Sequence, residues 1–122
     1  MNITTGVDLI EIARIEGVLA RHGDRFLNRI YTPREIQITR GKAPELAVRF
    51  AAKEAASKAL GTGIGLVSWR EMEITNDPLG KPDLTLHDRA LKRAQGLGLT
   101  SWSVSLSHSR GMAVAVVVGY GA

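Results

Sequence analysis

The stretch Pro44-Glu45-Leu46-Ala47-Val48-Arg49-Phe50-Ala51-Ala52-Lys53-Glu54-Ala55-Ala56-Ser57-Lys58-Ala59-Leu60 decides the fold. It is rich in Ala, contains no Gly, carries Pro in its first turn and meets Gly61 at its end. That pattern predicts one long helix, because Ala costs least in helix propensity while Pro suits a helix start and Gly a helix stop. Upstream, the β-branched start at Ile3 predicts a strand through Leu9 or Ile10. Ile12, Ile15 and Leu19 then recur at helical spacing until His22-Gly23. Asp24 caps a short turn carrying Phe26, Leu27 and Ile30. Thr32-Pro33-Arg34-Glu35 reads as a capping box with Pro at the first helical position, opening a helix that stops near Gly41. Downstream, Trp69–Thr75 and Asp83–Leu86 read as a hairpin, and Asp88–Leu97 as a helix with Leu91, Ala94 and Leu97 inward. Trp102–Ser107 and Met112–Val118 read as strands joined through His108-Ser109-Arg110-Gly111. Hairpins imply antiparallel pairing, so the expected class is α+β, with an antiparallel sheet packed on a long central helix.

The chain has 122 residues, 44% of them hydrophobic and 23% charged, which fits one globular domain over residues 1–122. The absence of Cys excludes disulfides, thiol catalysis and cysteine-ligated zinc. Any metal must use oxygen or His ligands, which favours hard ions such as Mg²⁺. No apolar run approaches a membrane span, and the N-terminus lacks a basic region before its first apolar residues. A cytoplasmic protein without a membrane association is therefore expected. The net charge of +4, with 11 Arg among its 16 cations, points to an anionic partner without saying which one.

Several residues could carry chemistry. Glu54 and Lys58 are four apart on one helix face, with Ala47 and Ala51 expected there too, leaving room for an approaching group. The same spacing is also the favourable orientation of an ordinary surface ion pair. Asp8 sits between Val7 and Leu9, where a charge needs a strand end, a partner or a metal. Asp8 and Glu54 could together hold Mg²⁺, which commonly takes one or two carboxylates plus waters and phosphates. The loop Gly61-Thr62-Gly63-Ile64-Gly65 lets backbone approach a phosphate, or serves only as a helix stop and turn. It has neither the spacing of a nucleoside-triphosphate loop nor that of a dinucleotide fingerprint. His108 ends a segment whose Ser residues alternate with Val104 and Leu106, and it could meet a phosphate or fill a turn. No G-x-S-x-G elbow supports a serine hydrolase. Arg14, Arg21 and Arg25 cluster around the first helix and its exit, as a solvated basic face or a docking strip for an acidic helix.

Taken in order, Gly6-Val7-Asp8, Tyr31-Thr32-Pro33-Arg34-Glu35, Arg49-Phe50-Ala51-Ala52-Lys53-Glu54-Ala55-Ala56-Ser57-Lys58, Gly61–Gly65 and Ser105-Leu106-Ser107-His108 resemble holo-acyl-carrier-protein synthases, the small bacterial 4′-phosphopantetheinyl transferases. The resemblance covers nearly the whole chain, and Phe-x-x-Lys-Glu-x-x-x-Lys is its most specific part. It implies transfer of phosphopantetheine from coenzyme A to a serine of apo acyl carrier protein, releasing adenosine 3′,5′-bisphosphate. It implies Asp8 and Glu54 as Mg²⁺ ligands, with Glu54 also a candidate base and Lys58 against the transferred phosphate. Arg49 and His108 would lie near the 3′-phosphate, and Gly61, Gly63 and Gly65 would border the coenzyme A groove. Arg14, Arg21 and Arg25 would meet the carrier protein, in a homotrimer with active sites between subunits. The resemblance assigns no role to the tail Gly119-Tyr120-Gly121-Ala122.

A basic module binding nucleic acid or another polyanion without catalysis is the competing reading. Aromatic residues make up only 5% of the chain, too few for a stacking platform, and no nucleic-acid motif is present. No nucleic-acid partner is therefore expected. An interaction protein with a degraded site is a further possibility, decided by whether Asp8 and Glu54 converge.

Overall fold

A computed structural model describes residues 1–122. The chain runs β1 (Asn2–Glu11), α1 (Ile12–His22), α2 (Asp24–Ile30), α3 (Pro33–Thr39), α4 (Ala43–Ala59), β2 (Met72–Asn76), β3 (Pro82–Leu86), α5 (Asp88–Gly96), β4 (Ser101–Ser109) and β5 (Met112–Gly121). Strands β1, β5 and β4 form one antiparallel sheet with β5 in the middle, and β2 and β3 form a separate antiparallel hairpin. The α+β class with an antiparallel sheet on a long central helix is the observed architecture. No helix is long and apolar enough to cross a membrane.

Helix α4 is the spine. Eleven of its residues are buried, among them Ala47, Ala51, Ala52, Ala55 and Ala56. Small side chains allow the sheet to lie close, and the closest approach is at Gly6 of β1. A side chain there would overlap the Ala55 carbonyl of α4. The Thr4 hydroxyl then donates to the Ala59 carbonyl at 2.8 Å, so β1 is bonded to the last turn of α4. Gly6, Asp8 and Ile10 share the face of β1 turned toward α4, by strict alternation from Gly6 and Ile10, both buried.

Five local expectations need correction. Trp69–Glu71 is a 3₁₀ turn rather than the start of a strand. The Ser68 amide and hydroxyl both donate to Glu71 Oε2, and this local closure competes with extended backbone. Helix α5 buries Ala90 and Ala94, whereas Leu91 and Leu97 are partly exposed, because the two alanines seat the helix closely. Ala47 and Ala51 do not open space beside Glu54 and Lys58, since both are completely buried. His108 lies within β4, paired with Ala113, and only Arg110 and Gly111 make the turn. Both have positive φ, 52° and 80°, the backbone of a two-residue hairpin whose twist matches its strands. Finally, Gly23 rather than Asp24 stands at the start of α2, and no side chain caps it.

The C-terminal residues also gain a role. Strand β5 continues to Gly121, pairing with Asn2 of β1. A side chain at Gly119 would strike the Trp102 ring, and one at Gly121 would strike the Gly98 carbonyl. These glycines let the last strand close against its neighbours.

Candidate active site

Strand β1 and helix α4 bring Asp8, Glu54 and Lys58 together. Lys58 Nζ donates to Asp8 Oδ1 at 2.9 Å and to the Val7 carbonyl at 3.2 Å. The Asp8 side chain is largely covered, while that of Lys58 is more than half exposed. Glu54 lies one turn before Lys58 on α4, near enough to Asp8 for that carboxylate to act on it. Burial is the main cause that pushes the Glu54 carboxyl up to about 7. A hydrogen bond and the charge of Asp8 add to it, and the charges of Lys58 and Arg14 oppose it. Two neighbouring carboxyl groups cannot both ionise cheaply unless a proton or cation lies between them. The donor set is therefore oxygen-only and anionic, and it suits a hard divalent cation. It contains two carboxylates and no cluster of three His, Asp or Glu, which leaves coordination positions for water and phosphate oxygens.

The other candidates fall in distinct places. Arg49 is buried under β2. Its Nε donates to the Ile74 carbonyl, Nη1 to the Glu45 carbonyl and to Glu45 Oε2, and Nη2 to Asn76 Oδ1. It lines a cavity of about 270 Å³ together with His108, Asn76, Gly80 and Ser107. His108 Nε2 is 3.9 Å from Glu45 Oε1. Arg49 and His108 are thus brought together, but away from Glu54. Five residues along an α-helix amount to about 7.5 Å of rise and about 140° of rotation, so Arg49 and Glu54 face different sides of α4.

The glycine loop folds back on α4. The amides of Thr62 and Gly63 both donate to the Ser57 carbonyl, and that of Gly61 to the Lys58 carbonyl. Its first amides therefore satisfy carbonyls at the helix end.

Of the three arginines around α1, Arg14 is near enough for its charge to act on Glu54. Arg21 packs beside Gly17. Arg25 lines a groove of about 380 Å³ with His22 and Arg29 on its rim and Phe26, Phe50 and Trp69 among its apolar walls. Phe50 and Trp69 stack with centroids 4.7 Å apart. Sequence reading missed Arg29, although it lies four residues after Arg25 on the same helix face. It also missed the Phe50–Trp69 stack, which joins α4 to a turn nineteen residues further on and leaves no periodic signal.

The fold has close counterparts. The description "4′-phosphopantetheinyl transferase superfamily" matches residues 4–117. A holo-acyl-carrier-protein synthase from Herpetosiphon aurantiacus is 52% identical over 98% of this chain and 99% of its own length. One from Solidesulfovibrio magneticus is 54% identical over 93% of this chain and 94% of its own. The crystal structure of the Helicobacter pylori holo-acyl-carrier-protein synthase in complex with coenzyme A superposes with a TM-score of 0.88 at 38% identity, covering 95% of this chain and 99% of that one. The chain is a transferase of the 4′-phosphopantetheinyl transferase superfamily. Within it, the chain belongs to the holo-acyl-carrier-protein synthases.

Proposed function

We propose that this chain transfers the 4′-phosphopantetheine group of coenzyme A to a serine of apo acyl carrier protein, with Mg²⁺ held by Asp8 and Glu54. The single observation that carries this reading is the ion pair between Lys58 of α4 and Asp8 of β1, 50 residues apart in sequence, which brings Asp8 beside the helix turn that carries Glu54. When bound, the ion would neutralise diphosphate charge and polarise the reacting phosphorus. The serine oxygen forms a bond to the phosphorus bearing pantetheine, and the bond to the nucleotide's 5′-phosphate oxygen breaks. The serine proton is lost, and adenosine 3′,5′-bisphosphate leaves. Lys58, with its ammonium exposed beside Asp8, is placed to meet charge on the transferred phosphate. Glu54 is one candidate base for the serine proton, and a group on the carrier protein is another.

The Arg49–His108 cavity is read as a subsite for the 3′-phosphate, and the Gly61–Gly65 loop as a border of the coenzyme A groove. Arg49 and Glu54 face different sides of α4, which suits a site completed by a second copy of the chain. The outer face of the sheet supports such an assembly, since Ile3, Val7, Leu9, Val116 and Tyr120 are exposed apolar side chains on it. The family resemblance implies a homotrimer with sites between subunits, and a sedimentation experiment giving only monomer would remove it. Arg14, Arg21 and Arg25 present a cationic strip to the acidic carrier protein. Cytoplasmic residence and a place in fatty acid and lipid biosynthesis complete the reading.

The deciding experiment is mass spectrometry of an apo carrier protein incubated with this protein, coenzyme A and Mg²⁺. The expected product gains one phosphopantetheine, and an unchanged carrier mass rejects the function. In that assay the carrier KM is expected to rise with salt, as exposed charge pairs are screened. A flat response would dismiss the cationic strip. For Lys58→Ala the expected result is a fall of about a hundredfold or more in kcat with little change in KM for coenzyme A. A raised KM at unchanged kcat would make Lys58 a binding residue only.

A further inference from the structure

A cavity of about 520 Å³ opens at the C-terminal end of α4, and Lys58 and Arg93 supply its only charged side chains. The rest of its lining is Asn2, Thr4, Gly61 and aliphatic residues, with no Asp or Glu. Such a wall attracts anions. Arg93 reaches it from α5. Its Nε donates to the Leu60 carbonyl at 3.0 Å, and its guanidinium makes no other hydrogen bond within the protein. Four of its five N–H donors are therefore uncommitted. Gly61 lies against that guanidinium, and a Cβ there would sit 3.4 Å from Arg93 Nη2. The missing side chain leaves the cation accessible. The carbonyls ending a helix would by themselves repel an anion. Arg93 covers one of them while keeping its remaining donors free.

The geometry points to Arg93 as a binding residue for the 5′-phosphate of the nucleotide half of coenzyme A, the half that departs as adenosine 3′,5′-bisphosphate. This rests on the transfer reading above and extends it to a residue outside the carboxylate pair. Arg49 and His108 line a separate cavity, read above as the 3′-phosphate subsite, so the phosphate left for Arg93 is the one beside Lys58. Arg93 shares a cavity with Lys58 and has donors to spare. A guanidinium suits the paired oxygens of a phosphate.

The test compares wild type with Arg93→Gln, Arg93→Lys and Leu97→Trp, the last narrowing the cavity from a partly exposed position. The readouts are KM for coenzyme A, kcat, and binding of adenosine 3′,5′-bisphosphate by calorimetry. Arg93→Gln is expected to raise KM about tenfold and weaken bisphosphate binding by a similar factor, with kcat within about twofold. Arg93→Lys should recover part of the loss, and Leu97→Trp should weaken both ligands while Arg93 stays in place. A residue that only closes the helix end would lower thermal stability and leave KM and bisphosphate affinity unmoved. That outcome overturns the inference while wild-type transfer upholds the function. If Arg93→Gln does not fold, unchanged affinities in Leu97→Trp overturn it equally. Should wild type fail to modify the carrier, the transfer reading falls, and bisphosphate calorimetry on the same variants still decides the role of Arg93.

Discussion

Glu54→Gln and Asp8→Asn are each expected to fold normally and to lose Mg²⁺-dependent transfer by about a thousandfold or more, since several kcal/mol of charge stabilisation leaves with the ligand. The same pair makes a second, opposite expectation for stability. In metal-free protein Glu54 titrates near 7 rather than at the ordinary 4.5, chiefly through burial and then through Asp8. An acid with a raised folded pKa costs the fold nothing below its unfolded value. It destabilises progressively as pH climbs from 4.5 through 7. Glu54→Gln removes that cost. In chelator-treated samples the variant should therefore melt above wild type at pH 8, with the gap closing at pH 5. Asp8→Asn removes the same repulsion but also the partner of Lys58, so its gain is smaller. Thermal melts at the two pH values, alongside carrier mass spectrometry, check both halves. Full activity in either variant removes that residue from the site, and a Glu54→Gln protein no more stable than wild type at pH 8 removes the crowded carboxylate pair.

That contrast between lost activity and gained stability shows what sequence could and could not reveal. Ala content, the Pro44 start and the Gly61 stop made α4 legible, because helix propensity and capping act over neighbouring residues. The Thr32–Glu35 capping box was legible for the same reason, and Thr32 Oγ1 and Glu35 Oε1 close it reciprocally. Alternating Ser residues correctly placed one face of β4 outward. The Trp69 turn was hidden, since Trp69 is a good strand former that runs into the Met72–Asn76 strand, and the Ser68–Glu71 closure overrides it. The phase of α5 was misread because two alanines, rather than two leucines, set how closely it packs.

For the site, residue types were legible and distances were not. Phe-x-x-Lys-Glu-x-x-x-Lys pointed to Glu54 and Lys58, and the polar residue within Gly6-Val7-Asp8 pointed to Asp8. Their meeting depends on Gly6 allowing β1 to approach the Ala55 carbonyl. No local pattern encodes that approach. Arg93 left no signal at all, since it meets the end of α4 through a single bond to the Leu60 carbonyl, 33 residues away in sequence. Arg49 stood out as a cation in the motif, yet its guanidinium turned inward onto Ile74, Glu45 and Asn76.

Lys53 shows the same inversion in its strongest form, and its removal is expected to have the largest effect on stability. Its side chain and that of Glu35 are both fully buried, with Nζ 2.7 Å from Oε1. Burial is the main cause that lowers the Lys53 pKa, and the charge and hydrogen bond of Glu35 oppose it. The ammonium uses all three protons, on Glu35 Oε1 and on the Trp69 and Met72 carbonyls. Glu35 in turn accepts from the Thr32 and Ile74 amides. Four chain segments therefore converge on one pair inside the core. Lys53→Met keeps the volume but strands the Glu35 carboxylate and two carbonyls. It should cost about 3–5 kcal/mol, the usual penalty for breaking a buried pair from one side. Glu35→Gln combined with Lys53→Met removes the uncompensated charge and should recover part of that loss, because the glutamine oxygen and amide still meet nearby groups. Urea denaturation of the single and double variants measures both steps. A Lys53→Met protein within about 1 kcal/mol of wild type would show that the pair does not hold the hairpin and α3 onto α4. If the double variant were as unstable as the single one, the lost carbonyl bonds rather than the stranded charge would account for the cost.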